Sequence, residues 1–183
     1  MNNKDVVITS AVRTAVGSFC KSLKNIPSEV LGSAAIIEAV KRSRIKSHEV
    51  DEIIIGQVLT GGTGQNPARQ AAIASGIPLD KPAYIVNQVC GSGIRSVVSG
   101  FQSIRSNSSK IIISGGQENM SLAPHSVHLR DGKKLGDTKI EDTMIKDGLW
   151  DAFNDYHMGV TAENVAEKFQ VTREEQDKFA LRS

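Results

Sequence analysis

Ala83-Tyr-Ile-Val-Asn-Gln-Val-Cys-Gly-Ser-Gly-Ile-Arg-Ser-Val-Val-Ser-Gly-Phe-Gln-Ser-Ile104 is the stretch around which the chain is organised. Tyr84, Ile85 and Val86 predict a short buried strand. One cysteine, Cys90, follows, and Gly91, Ser92 and Gly93 come directly after it. Ile94, Val97, Val98, Phe101 and Ile104 then recur at helical spacing. The layout is a strand, a sharp turn carrying a thiol, and a helix that starts on small residues.

That layout has chemical consequences. The first N–H groups of a helix lack partners within it and carry partial positive charge. A thiol held there is favoured as thiolate. Adjacent glycines permit close approach by a substrate, and an amide of the same turn can donate to an oxygen that becomes negative during attack. The pattern therefore points to nucleophilic attack by Cys90 on an acyl group. A small buried cysteine that only packs fits the local pattern equally well.

Composition sets the outer bounds. The 183 residues suit one domain with a small appendage. A net charge of +2 lacks the concentrated basic excess of a nucleic-acid binder. Aromatic residues make up only 4%, so the core is expected to be aliphatic. Cys20 and Cys90 form neither a disulfide framework nor a zinc site, and no metal is expected. Lys4, Asp5 and Arg13 flank a short apolar run that does not read as a signal peptide. No apolar run approaches the ~20 residues of a membrane span. A reducing, cytoplasmic setting with no membrane partner is the expectation.

Outside the central stretch, strands and helices alternate. Val6–Ile8 is expected as a first strand. Pro27 and Ser28 open a helix whose apolar stripe is Val30, Leu31, Ala34, Ile37 and Val40. Residues 52–59 hold a near-continuous apolar run that suits a strand covered on both faces. Asn66 is an N-cap before Pro67, and Gly76 ends that helix. Residues 110–116 form another buried strand. These alternations predict an α/β domain with a largely parallel sheet, whose ligands bind at the carboxyl ends of strands. Cys90, Gly115 and Gly116 fall at such ends. Residues 121–147 are polar and read as an excursion from the sheet. Beyond it, Thr172 and Glu175 form a capping box.

At Asn87-Gln-Val-Cys-Gly-Ser-Gly93 the chain resembles the thiolase family, in particular its acetyl-CoA acetyltransferase branch. Further segments carry the same resemblance in order along the chain: Ser10-Ala-Val-Arg-Thr-Ala-Val-Gly, Gly64-Gln-Asn-Pro-Ala-Arg-Gln-Ala-Ala, Asn119-Met-Ser-Leu-Ala-Pro-His, Tyr156-His-Met-Gly and Thr161-Ala-Glu-Asn. Gln117 departs from it, since methionine is usual there.

The resemblance implies a thiolase-like layered α/β fold, with a mostly parallel mixed sheet and helices on both faces. It implies a core domain over residues 1–119 and part of an inserted loop domain over 120–183. Cys90 would carry the acyl group as a thioester, its own N–H forming part of an oxyanion hole. His157 and Met158 would line the pantetheine tunnel, and Leu149 would lie against the CoA. Coenzyme A thioesters would be the substrates, with no resident cofactor. The polar excursion would join subunits into a homo-oligomer, a tetramer or dimer. The family's Gly-His-Pro segment and its second cysteine do not occur in these 183 residues. The chain therefore resembles the first half of such an enzyme. An incomplete sheet with an exposed strand edge and an exposed apolar helix face is expected.

Overall fold

The computed structural model describes residues 5–183, so Lys4 lies outside the described residues. Its centre is a three-stranded sheet built from β1 (Glu52–Gly56), β2 (Ala83–Val86) and β3 (Ile112–Gly116). The order is β2-β1-β3, and both pairings are parallel. Between the strands run α1 (Ser28–Ser43), α2 (Pro67–Ala74) and α3 (Ser92–Arg105). The α/β expectation is met, and these three strands are wholly parallel.

Strand alternation decides what each face buries. Ile53 and Ile55 face one way and pack with Ile36 of α1 and Ala68, Ala71 and Ala72 of α2. Ile54 pairs with Ser114 of β3 and faces the other way, toward α3. Ile53 and Ile54 are both fully buried, as a central strand covered on both faces requires. Helices thus lie on both faces, with α1 and α2 on one and α3 on the other.

The helices bury unexpected faces. In α3 the buried residues are Ser92, Ser96 and Gly100, at intervals of four, while Ile94, Val97, Val98 and Phe101 of the apolar stripe are exposed. A side chain at Gly100 would meet Ser114 Oγ at 2.5 Å, so α3 sits against β3 at a distance only small residues allow. In α1 the buried residues are Ser28, Gly32, Ser33 and Ile36, whereas Val30 and Ile37 of the expected stripe are about half exposed. Close approach, by Gly100 to β3 and by Gly32 to the Gln117 side chain, goes with the packed face in the two helices.

Other expectations are corrected. Val6–Ile8 is not a strand; the segment runs beside α1, with Ser10 Oγ donating to Ala39 O at 3.0 Å. β2 and β3 are partly rather than fully buried, because each is an edge of the sheet. The first of these strands therefore leaves Tyr84 36% exposed. The expected exposed helix face and strand edge are both present.

Beyond β3 the chain forms two short antiparallel ribbons, β4 (His125–Ser126) with β5 (Glu141–Asp142), and β6 (Trp150–Asp151) with β7 (Tyr156–His157). A π-helical turn, Met144–Leu149, links them. Two helices follow, α4 (Met158–Phe169) and α5 (Arg173–Arg182). The Thr172 capping box is formed: Glu175 N–H donates to Thr172 Oγ1 at 3.2 Å, and Thr172 N–H donates to Glu175 Oε2 at 2.8 Å. Among the described residues no helix is long and apolar enough to cross a membrane.

Candidate active site

β2 ends at Val86 and α3 begins at Ser92, and Cys90 lies in the turn between them with its side chain exposed. The turn is held by short local bonds. Gly91 N–H donates to Gln88 O and Ser92 N–H to Val89 O, both at 3.0 Å. Ser92 Oγ donates to Val89 O at 2.6 Å and accepts from Gln88 N–H at 2.9 Å. Val89 N–H donates to Asn87 Oδ1 at 2.9 Å. These bonds hold Val89 at φ 48°, a left-handed conformation that a β-branched residue rarely adopts. Such strain costs on the order of 1–3 kcal/mol and persists where surrounding structure over-determines it. Here it lies directly before the thiol.

Cys90 opens into a depression of about 340 Å³ at the carboxyl end of the sheet. Its walls are the ends of β1 (Gly56, Gln57, Val58) and β3 (Gly116, Gln117, Glu118), closed by Val89, Ser92 and Gly93 of the turn. Gly56 is required by this arrangement. A Cβ there would lie 2.6 Å from both Gly93 N and Ser92 O, so the end of β1 rests against the first turn of α3. Ser96 ties that turn to β3, its Oγ lying 2.7 Å from both Gly93 O and Gly115 O.

Two polar connections join the walls. Gln117 Nε2 donates to Gln57 Oε1 at 2.9 Å, and Gln57 Nε2 donates to Ser28 Oγ at 3.0 Å and Leu59 O at 3.1 Å. The Leu59 carbonyl sets the orientation of the Gln57 amide, and that in turn sets Gln117. Gln117 Oε1 is buried without a hydrogen-bond partner among the described residues, against Gly32 of α1. The second connection is Glu118, whose carboxylate accepts from Val58 N–H at 2.8 Å and from Leu59 N–H at 3.3 Å. Burial pushes the Glu118 carboxyl above its ordinary range, and those two backbone amides pull against the shift.

The other expected site residues lie elsewhere. None of His157, Met158 and Leu149 lines the Cys90 depression. His157 is exposed and caps α4, its Nδ1 accepting from Gly159 N–H at 2.9 Å. Met158 opens that helix and is 42% exposed. Leu149 ends the π-helical turn and is half-buried. One link runs toward Cys90 from this region: a Cβ at Gly148 would be in ordinary contact with Leu59 Cδ2, at 3.6 Å. Among the described residues no cluster of three or more His, Cys, Asp or Glu is arranged to hold a metal ion.

Several residues in the family-like segments hold loops in place. Asn66 Oδ1 caps α2 by accepting from Arg69 N–H, while its Nδ2 donates to Ala83 O. The Arg69 guanidinium donates to Leu79 O and Lys81 O. Gln70 Nε2 donates to Thr63 O and Gln65 O. Asn119 Nδ2 reaches Leu23 O and Ile26 O. Cys20, expected to be non-catalytic, is exposed in the loop before α1, and its N–H donates to Ser121 Oγ. Sequence reasoning missed Gln57, Ser96 and Glu118, because isolated polar residues beside apolar runs carry no distinctive spacing. Gly56 at the end of an isoleucine run was the available signal for close approach.

The model of the thiolase N-terminal domain matches residues 6–183. An acetyl-CoA acetyltransferase of Rhizobium meliloti is 57% identical over the whole chain, which covers 47% of that relative. The one from Pseudomonas aeruginosa is 56% identical over 98% of the chain and 46% of its own length. A rat protein named acetyl-CoA acetyltransferase, cytosolic, is 51% identical over 96% of the chain and 44% of its own length. The chain thus spans about half the length of the curated relatives it matches. A thiol at a strand-to-helix turn above a parallel sheet and a domain match across nearly every residue agree, and the chain belongs to the thiolase family.

Proposed function

We propose that this chain carries the acyl-accepting half of an acyltransferase site of the thiolase type, with Cys90 as nucleophile. The exposed thiol at the start of α3, opening into a depression at the carboxyl end of the sheet, is the observation that carries this reading. Cys90 Sγ attacks the carbonyl carbon of acetyl-CoA, a new carbon–sulfur bond forms, and CoA leaves as its thiolate. The thiol proton passes to a base. The acetyl group then moves to the deprotonated methyl carbon of a second acetyl-CoA, giving acetoacetyl-CoA and regenerating Cys90. Run backward, the same steps cleave a 3-ketoacyl-CoA with CoA.

Among the described residues no histidine lines the depression, and water takes the thiol proton in the first step on the chain alone. The family resemblance puts the histidine that speeds this transfer in a Gly-His-Pro segment that these 183 residues do not contain. We also assign His157, Met158 and Leu149 to the CoA side of the completed site, and residues 121–139 to contacts between subunits of a homo-oligomer. The word cytosolic in the rat relative's name supports a cytoplasmic setting for this chemistry.

Labelled acetyl-CoA tests the first step on the chain itself. One acetyl group per chain, released by hydroxylamine, is the expected result. Cys90→Ser loses at least 90% of the label and Cys20→Ser keeps it. Equal labelling of wild type and Cys90→Ser would leave the chain as a non-catalytic relative or partner-binding fragment.

A further inference from the structure

Where β1 leaves the sheet, its backbone needs new partners. Gln57 N–H still donates to Val86 O at 3.2 Å, but β2 ends there and offers nothing to the next two residues. Val58 and Leu59 give their amides instead to one side chain, Glu118, from the far wall of the Cys90 depression. Leu59 is 8% exposed, so its unpaired amide would be costly there. Its carbonyl is taken by Gln57 Nε2, and its side chain is near Gly148, where an added Cβ would lie 3.6 Å from Leu59 Cδ2. Glu118 therefore holds a segment that lines the thiol depression at Val58 and lies near the region assigned above to the CoA side at Leu59.

We propose that Glu118 is a positioning residue for acyl transfer to Cys90. Its carboxylate bridges the ends of β1 and β3 and sets the width of the depression into which an acyl thioester must fit. The two amides it accepts also offset its negative charge, which limits repulsion of a neighbouring thiolate and of the oxyanion formed during attack. This inference rests on the proposed role of Cys90. It adds that the acceptor site depends on a carboxylate that need not contact the acyl group.

The test uses the chain in a Cys20→Ser background, so that Cys90 is the only thiol. Acylation by acetyl-CoA and alkylation by iodoacetamide are timed by mass spectrometry for wild type, Glu118→Gln and Glu118→Leu. Glu118→Leu is expected to slow acylation at least 10-fold while changing alkylation less than 2-fold, since a small alkylating agent needs no fitted wall. Glu118→Gln keeps one acceptor oxygen and should recover at least part of the loss. Amide exchange at Val58 and Leu59 should quicken in Glu118→Leu. Unchanged acylation in Glu118→Leu overturns the inference, as does an equal loss of acylation and alkylation. If Glu118→Leu does not fold, Glu118→Gln decides: slower acylation with faster exchange at Val58 and Leu59 supports the inference, and any other combination overturns it. A wild-type chain that alkylates but never acylates refutes the Cys90 reading itself, and this inference falls with it.

Discussion

Two carboxylates near the sheet are shifted in opposite directions from their ordinary values. Asp51 Oδ2 accepts from Lys110 N–H at 2.7 Å and from Ile111 N–H at 3.0 Å, where β3 begins. Those amides, first Lys110 and then Ile111, hold its carboxyl below the ordinary value of 3.8. A depressed acid stabilises the fold above its unfolded value and loses that contribution as pH falls through its folded value. Glu118 is raised above 4.5 by burial, so its ionisation works against the fold as pH rises from 4.5. Asp51→Asn should therefore lower the urea midpoint at pH 7 and approach wild type near pH 3. Glu118→Gln should gain relative to wild type as pH climbs above 4.5. Parallel curves for either variant from pH 3 to 7 would refute the assignment. Neither role was legible in the sequence, because both carboxylates act on backbone amides about 60 residues away.

At the scale of elements, glycine and serine decide how α3 meets the sheet. The small side chains of Ser92, Ser96 and Gly100 allow the approach, and Gly56 receives the helix's first turn. Gly56→Ala is expected to destabilise the chain by about 1–3 kcal/mol, because its Cβ meets backbone rather than a movable side chain. Chemical denaturation measures the stability loss, and iodoacetamide labelling of Cys90 should change with it, since α3 must shift. An alanine variant as stable as wild type would show that helix and strand are not in contact as described. The periodic apolar residues of α3 identified the helix, and the face it packs on the sheet is the one of small residues. Apolar spacing reports which residues share a face, while the choice of face belongs to whatever the helix packs against.

Over the whole molecule, burial is concentrated in one region. Val50, Ile53, Ile54, Ala68, Ala71 and Ala72 are fully buried around β1 and α2, whereas α4 and α5 contain no buried residue. Local stability should follow that gradient. Native-state hydrogen exchange is expected to find the slowest amides in β1 and α2. Amides of α5 should exchange at least 100-fold faster, held mainly by the Thr172 capping box and exposed i,i+4 ion pairs such as Arg173–Asp177. Uniform protection across the chain would contradict this. The same unevenness leaves Ile94 75% and Phe153 97% exposed, apolar surface with no partner among the described residues.

Periodicity, capping residues and glycines were sufficient for the alternation of strands and helices, the caps at Asn66 and Thr172, and the strand-turn-helix around Cys90. Each depends on neighbours a few residues apart, and local chain geometry is written locally. Ordered segments resembling the thiolase family were likewise visible without coordinates. Tertiary structure alone decided that Val6–Ile8 is not a strand, that α1 and α3 bury small residues, and that Glu118 and the Gln57–Gln117 pair join the two walls beside the thiol. Those outcomes depend on which distant backbone arrives at a given surface, and on whether a buried amide or carboxylate finds a partner there.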